Sequence, residues 1–217
     1  MQIDKNVFCV NKPKDWTSND VVQFIKKKFG FKKVGHAGTL DPNATGVLVI
    51  GVDNGTKELG TLTLDNKTYI AEIQLGISTD SYDITGKVIE KREVGKINEK
   101  NILKIIKENF LNDYYQYPPK FSAIKVNGKK LYDYARKNEE VEIKPRLVKI
   151  NKINNFNYDE EKKIINIELN VSKGFYIRSF AFDLGEKLQT LGCLKSLCRT
   201  ASGSFTLSKI IEIDFNH

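Results

Sequence analysis

The sequence predicts an α+β fold built on a mixed sheet, and three observations carry that expectation. Residues 68–75 and 163–171 alternate apolar and polar side chains with the period of a strand. Val21, Val22, Ile25 and Phe29, and again Ile102, Ile105, Ile106 and Phe110, recur at the spacing of amphipathic helices. The two kinds of stretch follow each other irregularly, with hairpin signals such as Val126-Asn127-Gly128 between them. That order favours α+β over a doubly wound parallel sheet.

Taken along the chain, Val7-Phe8-Cys9-Val10 reads as a buried strand and residues 11–16 as a turn. Thr17 or Ser18 caps the first helix. The lysines that follow, Lys26, Lys27, Lys28, Lys32 and Lys33, suit either a solvated face or phosphate contact. Val47-Leu48-Val49-Ile50-Gly51-Val52 is a second buried strand. The Gly55-Thr56-Lys57 order after it does not satisfy a nucleotide-binding phosphate loop. On the strand at 68–75, Tyr69, Ala71, Ile73 and Leu75 share one face, where a tyrosine is usually core. Residues 76–86 read as a polar loop and 98–111 as a helix. The prolines within 114–119 exclude a central strand. The interleaved basic and aromatic residues of 128–136 fit nucleic acid or a short surface helix. Ile165, Ile167, Leu169 and Val171 share a strand face. A helix then begins at Tyr176 to Arg178 and runs through Phe180, Ala181, Leu184 and Leu188. An arginine at a helix start opposes the macrodipole, which hints that Arg178 meets a carboxylate. Residues 194–199 read as a short helical or turn segment, and 204–207 as a last strand.

Composition narrows the class. The chain has 217 residues, 40% of them hydrophobic, enough for a sizeable core. No repeat, linker or boundary interrupts it, so a single domain over 1–217 is expected. Lys and Arg number 35 against 27 Asp and Glu, a net charge of +8 with a pI of about 9.2. That excess favours a polyanionic partner, although a lysine-rich proteome would produce the same excess without function. No apolar run reaches the ~18 residues of a membrane span, and the N-terminus lacks a signal-peptide pattern. Cys9, Cys193 and Cys198 form no CxxC pair, as expected of free thiols in a reducing cytoplasm. Two histidines and three cysteines leave little for a metal site.

The stretch Gly35-His36-Ala37-Gly38-Thr39-Leu40-Asp41-Pro42-Asn43-Ala44-Thr45-Gly46 stands apart, with three glycines and an aspartate fixed by the proline after it. Two readings of Asp41 stand side by side. It caps a short helix with Pro42 at the first position, or it is held at the mouth of a site by a rigid loop. A lone histidine such as His36 is more often a structural residue than a functional one.

These segments together resemble the bacterial tRNA pseudouridine-55 synthases, the TruB family. The resemblance rests on residues 35–48 with Gly55-Thr56-Lys57, on Asn11-Lys12-Pro13 with Ser18-Asn19-Asp20, and on Lys67-Thr68-Tyr69. It continues through 116–125 with 128–132 and through Ser172-Lys173-Gly174-Phe175-Tyr176-Ile177-Arg178, in family order from about Val7 to about Leu207. It implies the pseudouridine synthase fold, with a central, mostly antiparallel sheet flanked by helices and loops. It also implies a catalytic domain without the small C-terminal RNA-binding (PUA) domain that many members carry.

The resemblance further implies isomerisation of a tRNA uridine to pseudouridine in the T loop, with base flipping and without cofactor or metal. It assigns the nucleophile to Asp41 and the cation that keeps it ionised to Arg178. Tyr69 is implied to stack on the flipped uracil and to assist a late proton removal. Tyr176 and Leu197 would line the same pocket, and His36 would support the flipped arrangement. Lys12, Pro13 and Lys57 read as scaffold or phosphate-adjacent. The implied partner is the T-arm stem-loop of tRNA, bound by a cytoplasmic monomer with no membrane and no obligate protein partner. The alternatives are a synthase of the same fold acting on another RNA, and a tRNA-folding chaperone with vestigial catalysis.

Overall fold

The computed structural model describes residues 3, 5–137 and 139–215. The chain divides into two compact units, Met1–Ile70 with Leu197–His217, and Ala71–Ser196.

The first unit opens with β1 (Val7–Lys12), α1 (Ser18–Phe29), β2 (Val34–Ala37) and β3 (Thr45–Val52). A 3-10 turn over Asp53–Lys57, the short α2 (Leu59–Leu62) and the start of β4 (Lys67–Leu75) follow. β1 pairs antiparallel with β3 from Val7↔Gly51 to Lys12↔Gly46, and β2 pairs with it from Val34↔Val52 to Ala37↔Val49. β3 is apolar at nearly every position because both its faces are covered. Leu48, Ile50 and Val52 join Phe8 and Val10 against Val21, Val22 and Ile25 of α1. Val47 and Val49 join Cys9 and Ala37 on the other side, against Leu59, Leu62 and Phe205.

α1 starts at a capping box. The Thr17 hydroxyl accepts from the Asp20 N–H at 3.0 Å, and the Asp20 carboxylate accepts from the Thr17 N–H at 2.8 Å. Its last turn carries Lys26, Lys27 and Lys28, a placement the macrodipole favours.

The second unit begins with β5 (Ile77–Thr79), β6 (Val88–Lys91), α3 (Glu99–Phe110) and β7 (Tyr114–Gln116). Then come the small hairpin β8 (Lys125–Val126) and β9 (Lys129–Lys130), α4 (Leu131–Arg136) and β10 (Arg146–Val148). β11 (Ile150–Asp159), β12 (Ile164–Val171), α5 (Ile177–Lys187) and β13 (Gly192–Ser202) complete it, with β13 ending in the first unit beside β14 (Phe205–Thr206). β11 and β12 form a long antiparallel ladder. β7 pairs with β10 in a two-stranded sheet of its own, in keeping with the prolines that follow it. The Asn127-Gly128 turn has positive φ at both residues, 51° and 80°, as a tight hairpin requires.

The reading of 194–199 as a helix or turn is overturned, because these residues lie inside β13. Leu194 and Leu197, three apart, imitate helical spacing. Cys198 and Arg199 instead pair in parallel with Thr45 and Gly46 of β3. The fold is therefore α+β with a mixed, mostly antiparallel sheet.

Candidate active site

In the first unit the loop between β2 and β3 carries Asp41, and side chains from β1, α1 and β13 hold this loop and the start of β3. Lys12 ends β1 on the face shared by Phe8 and Val10 and is wholly buried. Its Nζ donates to the carbonyls of Pro13 (2.8 Å), Trp16 (2.6 Å) and Pro42 (3.1 Å). Ser18 Oγ accepts from the Leu40 N–H at 2.9 Å and donates to the Leu40 carbonyl at 3.2 Å. Asn11 Oδ1 accepts from the Gly46 N–H at 3.1 Å. Arg199, also buried, donates from Nη2 to the Gly38 carbonyl (3.0 Å) and from Nε to the Val47 carbonyl (2.7 Å). Within the loop the Ala44 N–H reaches the Asp41 carbonyl at 3.0 Å, closing a turn through Pro42 and Asn43. No helix follows Asp41, so the helix-cap reading fails.

Two glycines are required by this clasp. Gly38 has φ +78°, and a Cβ there would lie 3.3 Å from Arg199 Nη1. Gly46 has φ +100°, and its Cβ would lie 2.2 Å from the Arg199 carbonyl oxygen. β3 and β13 approach too closely at that point for any side chain.

The clasp is cationic. Burial pushes the Lys12 ammonium down to about 8, while the charges of Asp15, Asp41 and Asp20 work to hold it up. Lys67, whose Nζ donates to the carbonyls of Thr63 (2.6 Å) and Asp65 (2.5 Å), is likewise lowered to about 8 by burial and by Arg199. His36 lies on β2 opposite Ile50. Burial, then Arg199, lowers its pKa, which favours the neutral ring. Its Nδ1 is buried with no hydrogen-bond partner among the described residues. Tyr69 lies on the buried face of β4 with Ala71, Ile73 and Leu75 and is 9% exposed. Leu197 is half-buried in β13, two residues before Arg199 and so on the same strand face.

Tyr176 and Arg178 belong to the second unit, at the start of α5. Arg178 is 5% exposed, and it donates to the carbonyls of Ser81 (3.0 Å) and Phe121 (2.9 Å). Its Nε lies 3.8 Å from Asp83 Oδ2. Within this unit the carboxylate beside Arg178 is thus Asp83, a residue the sequence reading did not name for it. Asp83 is itself fixed, since its Oδ1 accepts from Ser81 Oγ (3.0 Å) and from the Thr85 N–H (2.9 Å). What reads in the sequence as a polar loop is a buried turn, with Ser78, Thr79, Ser81 and Asp83 all inside.

Sequence reasoning passed over Lys67, Arg199, Asp83 and Gln116 as site residues and left Lys12 as scaffold. The alternation Phe8, Val10, Lys12 held the signal that Lys12 points inward. Thr79, Ser81 and Asp83, at every second position, held a similar one.

Two solved assemblies share this fold. One is an H/ACA RNP bound to a substrate RNA containing 2'-deoxyuridine, with 26% identity, a TM-score of 0.68, and coverage of 94% of this chain and 50% of that chain. The other is a Cbf5-Nop10-Gar1 complex, with 28% identity, a TM-score of 0.70, and coverage of 92% and 49%. The chain spans about half the length of both. These likenesses define the pseudouridine synthase fold. The TruB family pseudouridylate synthase (N terminal domain) profile matches residues 26–177. A protein of Ureaplasma urealyticum serovar 10 named tRNA pseudouridine synthase B is 54% identical over 213 residues, covering 98% of this chain and 92% of that one. One of the same name from Malacoplasma penetrans is 46% identical, covering 98% and 91%. The chain belongs to the TruB family of pseudouridylate synthases and is an enzyme of the isomerase class.

Proposed function

We propose that this enzyme converts a uridine of tRNA to pseudouridine in the T loop, at position 55, by extracting the base into a pocket and using Asp41 as nucleophile. The observation that carries the reading is the clasped loop. Lys12, Ser18 and Arg199 hold the backbone on either side of Asp41, so its carboxylate meets the ribose or base without a reorganisation cost. The name shared by relatives at 54% and 46% identity supports tRNA as the substrate.

Flipping the uridine costs a few kcal/mol and is repaid by stacking in the pocket. Tyr69 supplies the stacking face. No hydrogen bond of its hydroxyl occurs among the described residues, which suits a group that handles a proton late in the reaction. Tyr176 and Leu197 complete the apolar lining. His36, kept neutral, supports the flipped loop without repelling the cations around it. The family resemblance is what assigns Arg178 to the reaction, as the cation that serves the carboxylate. The reaction breaks an N-glycosidic bond and forms a C–C bond on the same fragments, with no net redox change. The enzyme acts as a cytoplasmic monomer without an obligate protein partner, and its three free cysteines suit a reducing compartment.

Pseudouridine mapping on a T-arm stem-loop and on full-length tRNA tests this, with wild type and Asp41→Asn side by side. Modification of the T-loop uridine by wild type alone is the expected result. Turnover by Asp41→Asn removes Asp41 from its role, and modification at another uridine overturns the site assignment.

A further inference from the structure

Tyr176 stands immediately before α5, and the side-chain amide of Gln116 bonds both of its backbone groups. Gln116 Oε1 accepts from the Tyr176 N–H at 2.7 Å, and Gln116 Nε2 donates to the Tyr176 carbonyl at 3.0 Å. The Gln116 side chain is 1% exposed. Its orientation is fixed, because the reversed amide would set N–H against N–H and oxygen against oxygen. Gln116 Nε2 also donates to the Tyr114 hydroxyl at 3.2 Å, and that hydroxyl donates to the Asp183 carboxylate on α5. Farther along, Ser179 Oγ donates to the Tyr117 carbonyl at 2.7 Å. β7 and α5 are thus linked by a chain of hydrogen bonds that runs from Asp183 through Tyr114 and Gln116 to Tyr176.

The helix needs this hold. Tyr176 makes no side-chain cap, and the first turn of α5 contains no acidic residue. It contains Arg178 instead, which the macrodipole disfavours. Such a start is poorly defined by its own sequence, yet it carries two residues assigned to the reaction. The rings of Phe110, Tyr114, Phe175 and Phe180 pack on one another at centroid distances of 4.9–5.9 Å, so Tyr114, the partner of the Gln116 amide, belongs to a packed aromatic cluster.

We infer that Gln116 is a positioning residue for the isomerisation: its amide sets the backbone of Tyr176, and with it the start of α5, in the geometry the flipped base requires, while Tyr114 and Asp183 fix the amide. The inference rests on the reading of Tyr176 as a residue of the base pocket.

The test is single-turnover pseudouridine formation at saturating T-arm RNA, with RNA affinity and thermal unfolding measured separately. Gln116→Leu keeps the side-chain bulk and removes both bonds to Tyr176. A misplacement of this kind costs up to about 100-fold in rate, so a fall of roughly 10- to 100-fold at saturation is expected, with affinity held within about threefold. A merely structural role would lower the unfolding temperature and leave the saturating rate of the folded fraction unchanged. A wild-type saturating rate in Gln116→Leu therefore overturns the inference, as does a loss confined to RNA affinity. Should Gln116→Leu not fold, Tyr114→Phe decides. It frees one end of the amide and should slow the saturating step by about 3- to 10-fold, and an unchanged rate overturns the inference. Tyr176→Ala separates the two levels. Full activity there removes the premise about the pocket, whereas wild-type protein that makes no pseudouridine removes the proposed function itself.

Discussion

At Gly46 the positive φ and the approach of β13 act together. A methyl group there would meet the Arg199 carbonyl at 2.2 Å and its amide nitrogen at 2.7 Å, both backbone atoms that cannot swing aside. Gly46→Ala should destabilise the fold by about 2–4 kcal/mol, from overpacking plus left-handed strain, read by urea unfolding. A loss below about 0.5 kcal/mol, the range of ordinary surface changes, would mean that the strands part easily. Lys12 and Lys67 make a second residue-level prediction. Folding lowers both from 10.5 to about 8, so across that window the native protein binds fewer protons than the unfolded chain. Stability therefore rises as pH climbs from about 8 toward 10.5, the sign that linkage requires when the unfolded state binds more protons. Urea unfolding at pH values inside and below the window checks this, and Lys67→Met should flatten the rise. A fall in stability across the same window would show that the carbonyls around the two ammonium groups outweigh their burial.

At the level of elements, α1 ties helix stability to the Asp41 loop through adjacent residues with different duties. Thr17 completes the capping box, and Thr17→Ala should cost about 1 kcal/mol of stability while leaving turnover alone. Ser18 instead holds both backbone groups of Leu40, so Ser18→Ala should slow pseudouridine formation as well as cost stability of the same order. Equal turnover in the two variants would separate the clasp from the chemistry. The start of α1 was legible in the sequence, since a hydroxyl before an apolar helical pattern marks it. The division of labour was not, because the partner of Ser18 lies 22 residues away. The faces of β4 and β12 were legible for the same local reason: backbone geometry fixes a period of two. β13 was misread because its leucine spacing is ambiguous and its partners, β3 among them, lie far away in sequence. The full burial of Lys12 depends on carbonyls from two segments, the turn at residues 13–16 and the loop at Pro42, which only the assembled unit brings together. The Asp41 loop stood out in the sequence through its resemblance, whereas the grip of Arg199 on that loop follows from the register of β13.

For the molecule as a whole, the charge of +8 is the property most exposed to measurement. Phosphate contacts release counterions, so RNA affinity should fall steeply with salt, by a slope of about 0.7–0.9 for each phosphate neutralised. The candidates for those contacts include the lysines at the end of α1 and just beyond. Lys28 is already engaged, donating to the Asp214 carbonyl at 2.8 Å. Lys27, Lys32 and Lys33 are exposed, with their ammonium groups outside any ion pair among the described residues. The backbone of Lys32 and Lys33 is fixed by the Asp53 carboxylate, which accepts both N–H groups at 3.0 Å, so the two ammonium groups project from a defined turn. Replacing Lys27, Lys32 and Lys33 with glutamine should lower the salt slope by about 2 and weaken binding at low salt, while the saturating turnover rate stays at the wild-type level. Binding titrations of T-arm RNA and full-length tRNA across a range of salt concentrations check this. An unchanged slope with both RNAs would make the α1 lysines a solvated face and assign the electrostatic grip to other basic residues. A slope reduced with tRNA alone would place the contact outside the T arm.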